Sequence, residues 1–301
     1  MSTGPSSATP RKTTTLTLRE KRERREPITM VTAYDFPTAR LADQAGVDAI
    51  LVGDSLAMVV LGHPDTLSVT MDEMLHHARA VRRGASRALL IGDMPFLSYQ
   101  ADEAEAVRNA GRFLKEAGME AVKLEGGRAV AATVRRIVRA GIPVQGHVGL
   151  TPQSVNVLGG WKVQGRTAAA ARALLEDALA LEDAGCFSIV LESVPDRVAA
   201  HITERVKVPT IGIGAGPGTS GQVLVLHDML GLFDRFTPRF VKRYANLGDT
   251  ARAALVSFRA DVEDRAFPAA EHSYTIDDEE WRAFLESIGE TLPRTPAVSR
   301  G

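Results

Sequence analysis

From about residue 28 onward, short apolar runs alternate with stretches whose apolar residues recur every three or four positions. The runs at 29–33, 49–52, 88–92, 121–124, 144–147, 188–191, 210–213 and 223–226 read as strands. Most lack the in–out polar alternation of a half-exposed sheet, so a parallel sheet covered on both faces is expected. Between them, Val107, Ala110, Leu114 and Ala117 fall on one helical face, as do Val130, Val134 and Ile137. Glycine closes several such segments, in EAGME, RAGIP and DAGCF, as at a helix C-terminus. Strict alternation of eight strands with helices or long loops predicts an α/β fold, a (β/α)8 TIM barrel. An open doubly wound sheet is the alternative, because strand count does not show closure.

The flanks read differently. Residues 1–15, rich in Ser, Thr, Pro, Lys and Arg, are expected to form a disordered N-terminal extension. The REKRERRE run that follows mixes both charges, which suits a short exposed helix better than a nucleic-acid patch or an organelle transit peptide. One barrel domain is expected over 16–273, including this helix and C-terminal helices, with a long helix at 244–262. A C-terminal extension follows at 274–301, with a short helix at 277–288.

Composition adds few exclusions. The 301 residues carry a formal net charge of -1, with 45% hydrophobic and 24% charged residues, so no global field favours nucleic acid or membrane. A single cysteine, Cys186, rules out an intrachain disulfide and fits a reducing compartment. With no apolar run of transmembrane length, a cytoplasmic protein is the expectation.

Chemistry gathers where the strands end. AILVGD and ALLIGD repeat one pattern and deliver Asp54 and Asp93; other predicted strands end at Tyr34-Asp35, Lys123 with Glu125, His147, Glu192-Ser193 and His227-Asp228. In a barrel these points converge on one mouth, with long loops at 55–70 and 149–167 around it. Asp54 and Asp93 suit helix caps, but their twin settings beside Glu125 favour a metal site. All-oxygen ligation suits Mg2+, and no CxxC or HxH spacing supports a dedicated zinc site. Lys123 reads as a structural ion pair, a Schiff-base amine or an anchor for an anion; nearby carboxylates would keep it charged. His147 alone reads as a core histidine. Glu192 ends the apolar SIVLE run, where an unpartnered carboxylate is costly, and is a candidate general base. The run 216–221 matches GxGxxG but leads into a strand rather than a helix, so it is not a dinucleotide fingerprint.

Taken together, TAYDFPTARLADQAGVD, ILVGDSLAMVVLGHPDTLSVT, VKLEGG, GHVGLTPQSVNVLGGWKVQGR, VLESVP, IGIGAGPGTSGQVLVLHDMLG and FPAAEHS resemble the ketopantoate hydroxymethyltransferase family, in collinear order over most of 28–272. The resemblance implies a metal-dependent barrel of the phosphoenolpyruvate mutase/isocitrate lyase type. It also implies transfer of a hydroxymethyl group from 5,10-methylenetetrahydrofolate to 3-methyl-2-oxobutanoate (2-oxoisovalerate) in pantothenate biosynthesis. Carried onto this chain, it makes Asp54, Asp93 and Glu125 the Mg2+ site. Asp54, Ser55, Asp93, Lys123 and His147 become oxo-acid contacts, and Glu192 the proton acceptor. A homo-oligomer, commonly a decamer, is implied as well. The alternatives are a Mg2+-dependent carbon–carbon lyase or mutase acting on another 2-oxo acid, and a catalytically silent barrel. The lyase cysteine loop is absent, and a silent barrel would predict decay of the strand-end residues, which are complete.

Overall fold

The computed structural model describes residues 11–291. In it, β1 (Ile28–Thr32) pairs in parallel with both β2 (Ala49–Val52) and β8 (Gly221–Leu224). With β3 (Leu89–Asp93), β4 (Ala121–Glu125), β5 (Val144–Gly149), β6 (Ser188–Glu192) and β7 (Thr210–Ile213), this makes a closed barrel in sequence order. The open-sheet alternative is thereby excluded.

Alternation along each strand sorts the side chains into two cores. Ala49, Leu51, Leu89, Ile91, Ala121 and Val190 belong to one cluster, which fills the barrel. Ile50, Val52, Leu90, Val122, Leu124 and Leu191 belong to the other, which packs against the helical layer. That layer forms as the pattern predicts. Helix Met71–Gly84 starts in a reciprocal Thr70–Glu73 capping box and buries Met74, Leu75, Ala78 and Val81. Helix Glu103–Ala117 starts at Asp102, buries Ala110, Phe113 and Ala117, and ends at Gly118 with φ 67°.

Several expectations are corrected. The last strand begins two residues before the predicted 223–226, because Gly221 and Gln222 pair with Ile28 and Thr29 although they are not apolar. Leu226 instead opens a short helix, Leu226–Met229, which carries His227 and Asp228 one turn past the strand. The charged N-terminal helix, Thr15–Glu23, is not wholly exposed: Leu18 is buried within the barrel-filling cluster. Arg22 binds the carbonyls of Thr203 and Lys207, and Lys21 pairs with Asp48 at 2.7 Å. Of the segment 1–15, residues 1–10 lie outside the described residues. Lys12 is held by Glu120 and the Ala88 carbonyl, and Thr13 is buried, so order begins before residue 16. As expected, the run 216–221 opens no helix; it leads into β8.

Contacts divide the chain between Asn246 and Leu247 rather than at 273. The second unit carries the two expected helices, at Leu247–Glu263 and Asp278–Ser287. The first of these has no buried residue.

Candidate active site

Register builds the site. The β3–β4 pairing sets Asp93 opposite Lys123, and β4–β5 sets Glu125 opposite His147. β5–β6 sets Gly149 opposite Glu192. Asp93, Lys123, Glu125, His147 and Glu192 all fall on the in-facing parity of their strands, at the C-terminal end. On β3 and β4 the in-facing side chains lower in the barrel, Leu89, Ile91 and Ala121, are apolar, and those nearer the mouth are ionisable.

Asp54 arrives by another route. The two Gly-Asp pairs are one residue out of step, since Ala49 registers with Leu89 rather than Ala88. Asp93 is therefore the last residue of its strand, whereas Asp54 lies past its own strand, in the turn into helix Leu56–Val59. The turn brings them together: the Asp54 backbone N–H donates to Asp93 Oδ2 at 3.1 Å.

The charged groups form a linked cluster. Lys123 Nζ lies 2.8 Å from Asp93 Oδ1 and 3.3 Å from His147 Nδ1. His147 Nδ1 is 3.5 Å from Glu125 Oε1, and its Nε2 is 3.3 Å from Glu192 Oε2, off the hydrogen-bonding direction. Asp54, Asp93, Lys123, Glu125 and His147 are buried, while Glu192 is half-buried. Ser55 accepts or donates a 2.8 Å hydrogen bond with the buried Tyr34 hydroxyl.

Burial and crowding set the protonation states. Asp54 is raised well above the ordinary carboxylate range, by burial first and then by Asp93 and Glu125. Burial likewise raises Asp93, although Lys123 opposes it. For Glu125, burial works against the charge, but His147 and Lys123 outweigh it and lower the pKa. Burial also works against the Lys123 ammonium, yet Asp93, Glu125 and Asp54 raise it above its ordinary value. His147 is pushed up to about 9 because Glu125 and Glu192 outweigh burial and the nearby Lys123.

Among the described residues, no three acidic, histidine or cysteine side chains converge tightly enough in this arrangement to ligate an ion. The donor set nonetheless suits a hard divalent cation. It is all oxygen, its carboxylates Asp54 and Asp93 are raised by burial first and then by neighbouring carboxylates, and Glu125 Oε1 is buried without a hydrogen-bond partner.

Two residues outside the expected set complete the site. Gln153 Nε2 donates to Asp54 Oδ2 at 3.0 Å, and the Tyr99 hydroxyl donates to Gln153 Oε1 at 2.8 Å. Gln153 lies within GHVGLTPQSVNVLGGWKVQGR, so the motif marks the segment but not the contact. A cleft of about 860 Å3 at the opposite end of the barrel, beside Thr15, Cys186 and Pro209, has no comparable buried cluster.

The family model described as ketopantoate hydroxymethyltransferase matches residues 12–270. The chain belongs to this family. It is 65% identical over 244 residues to the 3-methyl-2-oxobutanoate hydroxymethyltransferase of Syntrophobacter fumaroxidans, covering 81% of this chain and 86% of that one. Against the protein of the same name from Oleidesulfovibrio alaskensis it is 60% identical over 261 residues, covering 87% and 90%. Among solved structures, 2,3-dimethylmalate lyase, a PEP mutase/isocitrate lyase superfamily member, matches with TM-score 0.57 at 18% identity, covering 92% of this chain and 100% of that one. Phosphonopyruvate hydrolase in complex with oxalate and Mg++ matches with TM-score 0.56 at 16% identity, covering 91% and 98%. These distant likenesses show the shared barrel fold.

Proposed function

We propose that the protein transfers a hydroxymethyl group from 5,10-methylenetetrahydrofolate to 3-methyl-2-oxobutanoate, giving 2-dehydropantoate for pantothenate biosynthesis. The observation that carries the reading is the run of ionisable side chains at the ends of β3 to β6, Asp93, Lys123, Glu125, His147 and Glu192, within reach of one another.

The chemistry needs a base for the C3 proton of the oxo acid and fixed positive charge for its carboxylate and ketone. Asp54, Asp93 and Glu125 would hold Mg2+, which supplies positive charge beside the ketone oxygen, where negative charge grows as the proton leaves. Lys123 and His147, both cationic here, orient the anionic substrate and offset that charge. Ser55, tied to Tyr34, is a further oxo-acid contact. Glu192 accepts the C3 proton; it is half-buried and so combines access with partial exclusion of water. The folate's one-carbon unit is a methylene bonded to two nitrogens. One C–N pair returns to its nitrogen as C3 of the oxo acid bonds to that carbon, the other as the oxygen of water bonds to it. The protons lost from C3 and from water end on the two nitrogens. Cytoplasmic placement and assembly as a homo-oligomer, a homodecamer by resemblance, belong to the same proposal.

A carbon–carbon lyase or mutase would share the barrel and the oxo acid. Cys186 lies buried just before β6, at the far end of the barrel, so it cannot serve as a cysteine at the mouth.

Incubating the purified protein with 3-methyl-2-oxobutanoate and methylenetetrahydrofolate tests the reading. 2-Dehydropantoate should form only with a divalent cation present; no product with Mg2+ would refute it. Glu192→Gln should still bind the oxo acid but exchange its C3 proton with deuterium oxide about 100-fold more slowly, or slower still. Exchange at the wild-type rate would remove Glu192 from the role of base.

A further inference from the structure

Gln153 sits in the loop after β5, in the short turn Pro152–Ser154, and its side chain reaches across the mouth to residues that follow two other strands. Its Nε2 donates to Asp54 Oδ2 at 3.0 Å and to the Met94 carbonyl at 2.9 Å. Its Oε1 accepts from the Tyr99 hydroxyl at 2.8 Å and from Gln100 Nε2 at 3.1 Å. Both amide protons and both acceptor positions are thus used. The amide cannot be reversed, because its oxygen would then face a carboxylate and a carbonyl. The backbone N–H of the same residue donates to Glu125 Oε2 at 2.9 Å. Tyr99 adds a second tie, since its hydroxyl oxygen accepts from the Glu125 backbone N–H at 3.1 Å.

One buried residue therefore engages one oxygen on each of two carboxylates that reach the mouth from different strands. The second oxygen on Glu125, Oε1, is buried without a hydrogen-bond partner. The residue thus brings two polarised N–H groups to the carboxylates, one from its neutral side-chain amide and one from its backbone, without adding to their negative charge. A glutamate in its place would set a further negative charge against Asp54.

We infer that Gln153 is a positioning residue for the divalent-cation site, holding Asp54 by its side chain and Glu125 by its backbone so that the other oxygen of each is turned to the ion. The inference rests on the metal-dependent reading above. It goes further in making the 149–167 loop part of the cation site. Ordering the loop and ordering the carboxylates are then one event, so cation affinity should respond to changes in a segment that supplies no carboxylate.

The test is direct titration of Mn2+ by calorimetry, without substrate, on wild type, Gln153→Met and Tyr99→Phe. Gln153→Met keeps the volume and the backbone N–H but removes all four side-chain amide contacts. Tyr99→Phe removes the hydroxyl that holds the amide and the Glu125 backbone. Both variants should weaken Mn2+ binding, Gln153→Met by about tenfold or more, as when an outer partner of a metal ligand is lost. Unfolding curves of the metal-free proteins identify the folded fraction, so that affinity is compared per folded molecule; if Gln153→Met does not fold, Tyr99→Phe decides. Wild-type affinity in the folded variants would overturn the inference and leave the cation site standing. A wild-type protein that binds no divalent cation would overturn both.

Discussion

Asp93 and Lys123 are register partners across β3 and β4, and their side chains meet at 2.8 Å with both residues buried. Backbone pairing, rather than a flexible reach between distant side chains, thus delivers the cation to the carboxylate. Replacing Lys123 by Met would leave Asp93 buried without that partner, and breaking a buried pair costs about 3–5 kcal/mol. We expect Lys123→Met to lose that order of stability in urea unfolding and to raise the KM for the oxo acid. A variant as stable as wild type, with an unchanged KM, would show that Lys123 neither supports Asp93 nor meets substrate.

The carboxylates give a second prediction. Asp54→Asn and Asp93→Asn should each weaken Mg2+ binding by at least about tenfold, since each removes a charge from the oxygen donor set. A chelator should abolish turnover, and added Mg2+ should restore it. An unchanged cation titration in both variants would contradict the ligand assignment.

His147 gives a pH dependence with a defined sign in the metal-free protein. Glu125 and Glu192 raise its pKa from 6.5 to about 9, against the effects of burial and Lys123. The folded state therefore holds this proton more tightly than the unfolded chain. Its stabilising contribution is complete below pH 6.5 and is lost as pH rises through about 9. Unfolding curves measured with a chelator should fall more steeply over this window for wild type than for His147→Gln. Parallel curves would mean that His147 does not gain its proton from the fold.

Much of this site is legible in the amino-acid sequence, for a specific reason. Ala121, Val122, Lys123, Leu124 and Glu125 alternate in β4, so an apolar run with charges at every second position announces charges aimed into the barrel. Asp54 is less legible, because its resemblance to Asp93 hides a one-residue offset that only the pairing of β2 with β3 reveals. The start of β8 is misread for a similar reason: Gly221 and Gln222 are strand residues by virtue of partners in β1, not by their own apolarity. Gln153 is invisible to local pattern because the carboxylate it holds lies 99 residues earlier. Leu18 is disguised by the charges around it, and only the open end of the barrel gives it somewhere to go.

Gly149 supplies the last prediction. It is the register partner of Glu192 and takes φ 100°, a left-handed conformation that favours glycine. A Cβ added there would stand 2.2 Å from the Glu192 carbonyl oxygen, which also accepts the Leu150 N–H at 2.8 Å. The residue just past β6, Ser193, is itself at φ 50°, so the backbone on both sides of this contact is already constrained. Gly149→Ala must therefore displace either Glu192 or the loop that starts beside it. A substitution incompatible with the native φ costs more than about 1 kcal/mol. We expect that loss of stability together with slower C3 proton exchange per folded molecule, because the shift falls on the Glu192 backbone. Exchange at the wild-type rate in a destabilised variant would place the strain away from Glu192 and show that its carboxylate is positioned independently of its own main chain.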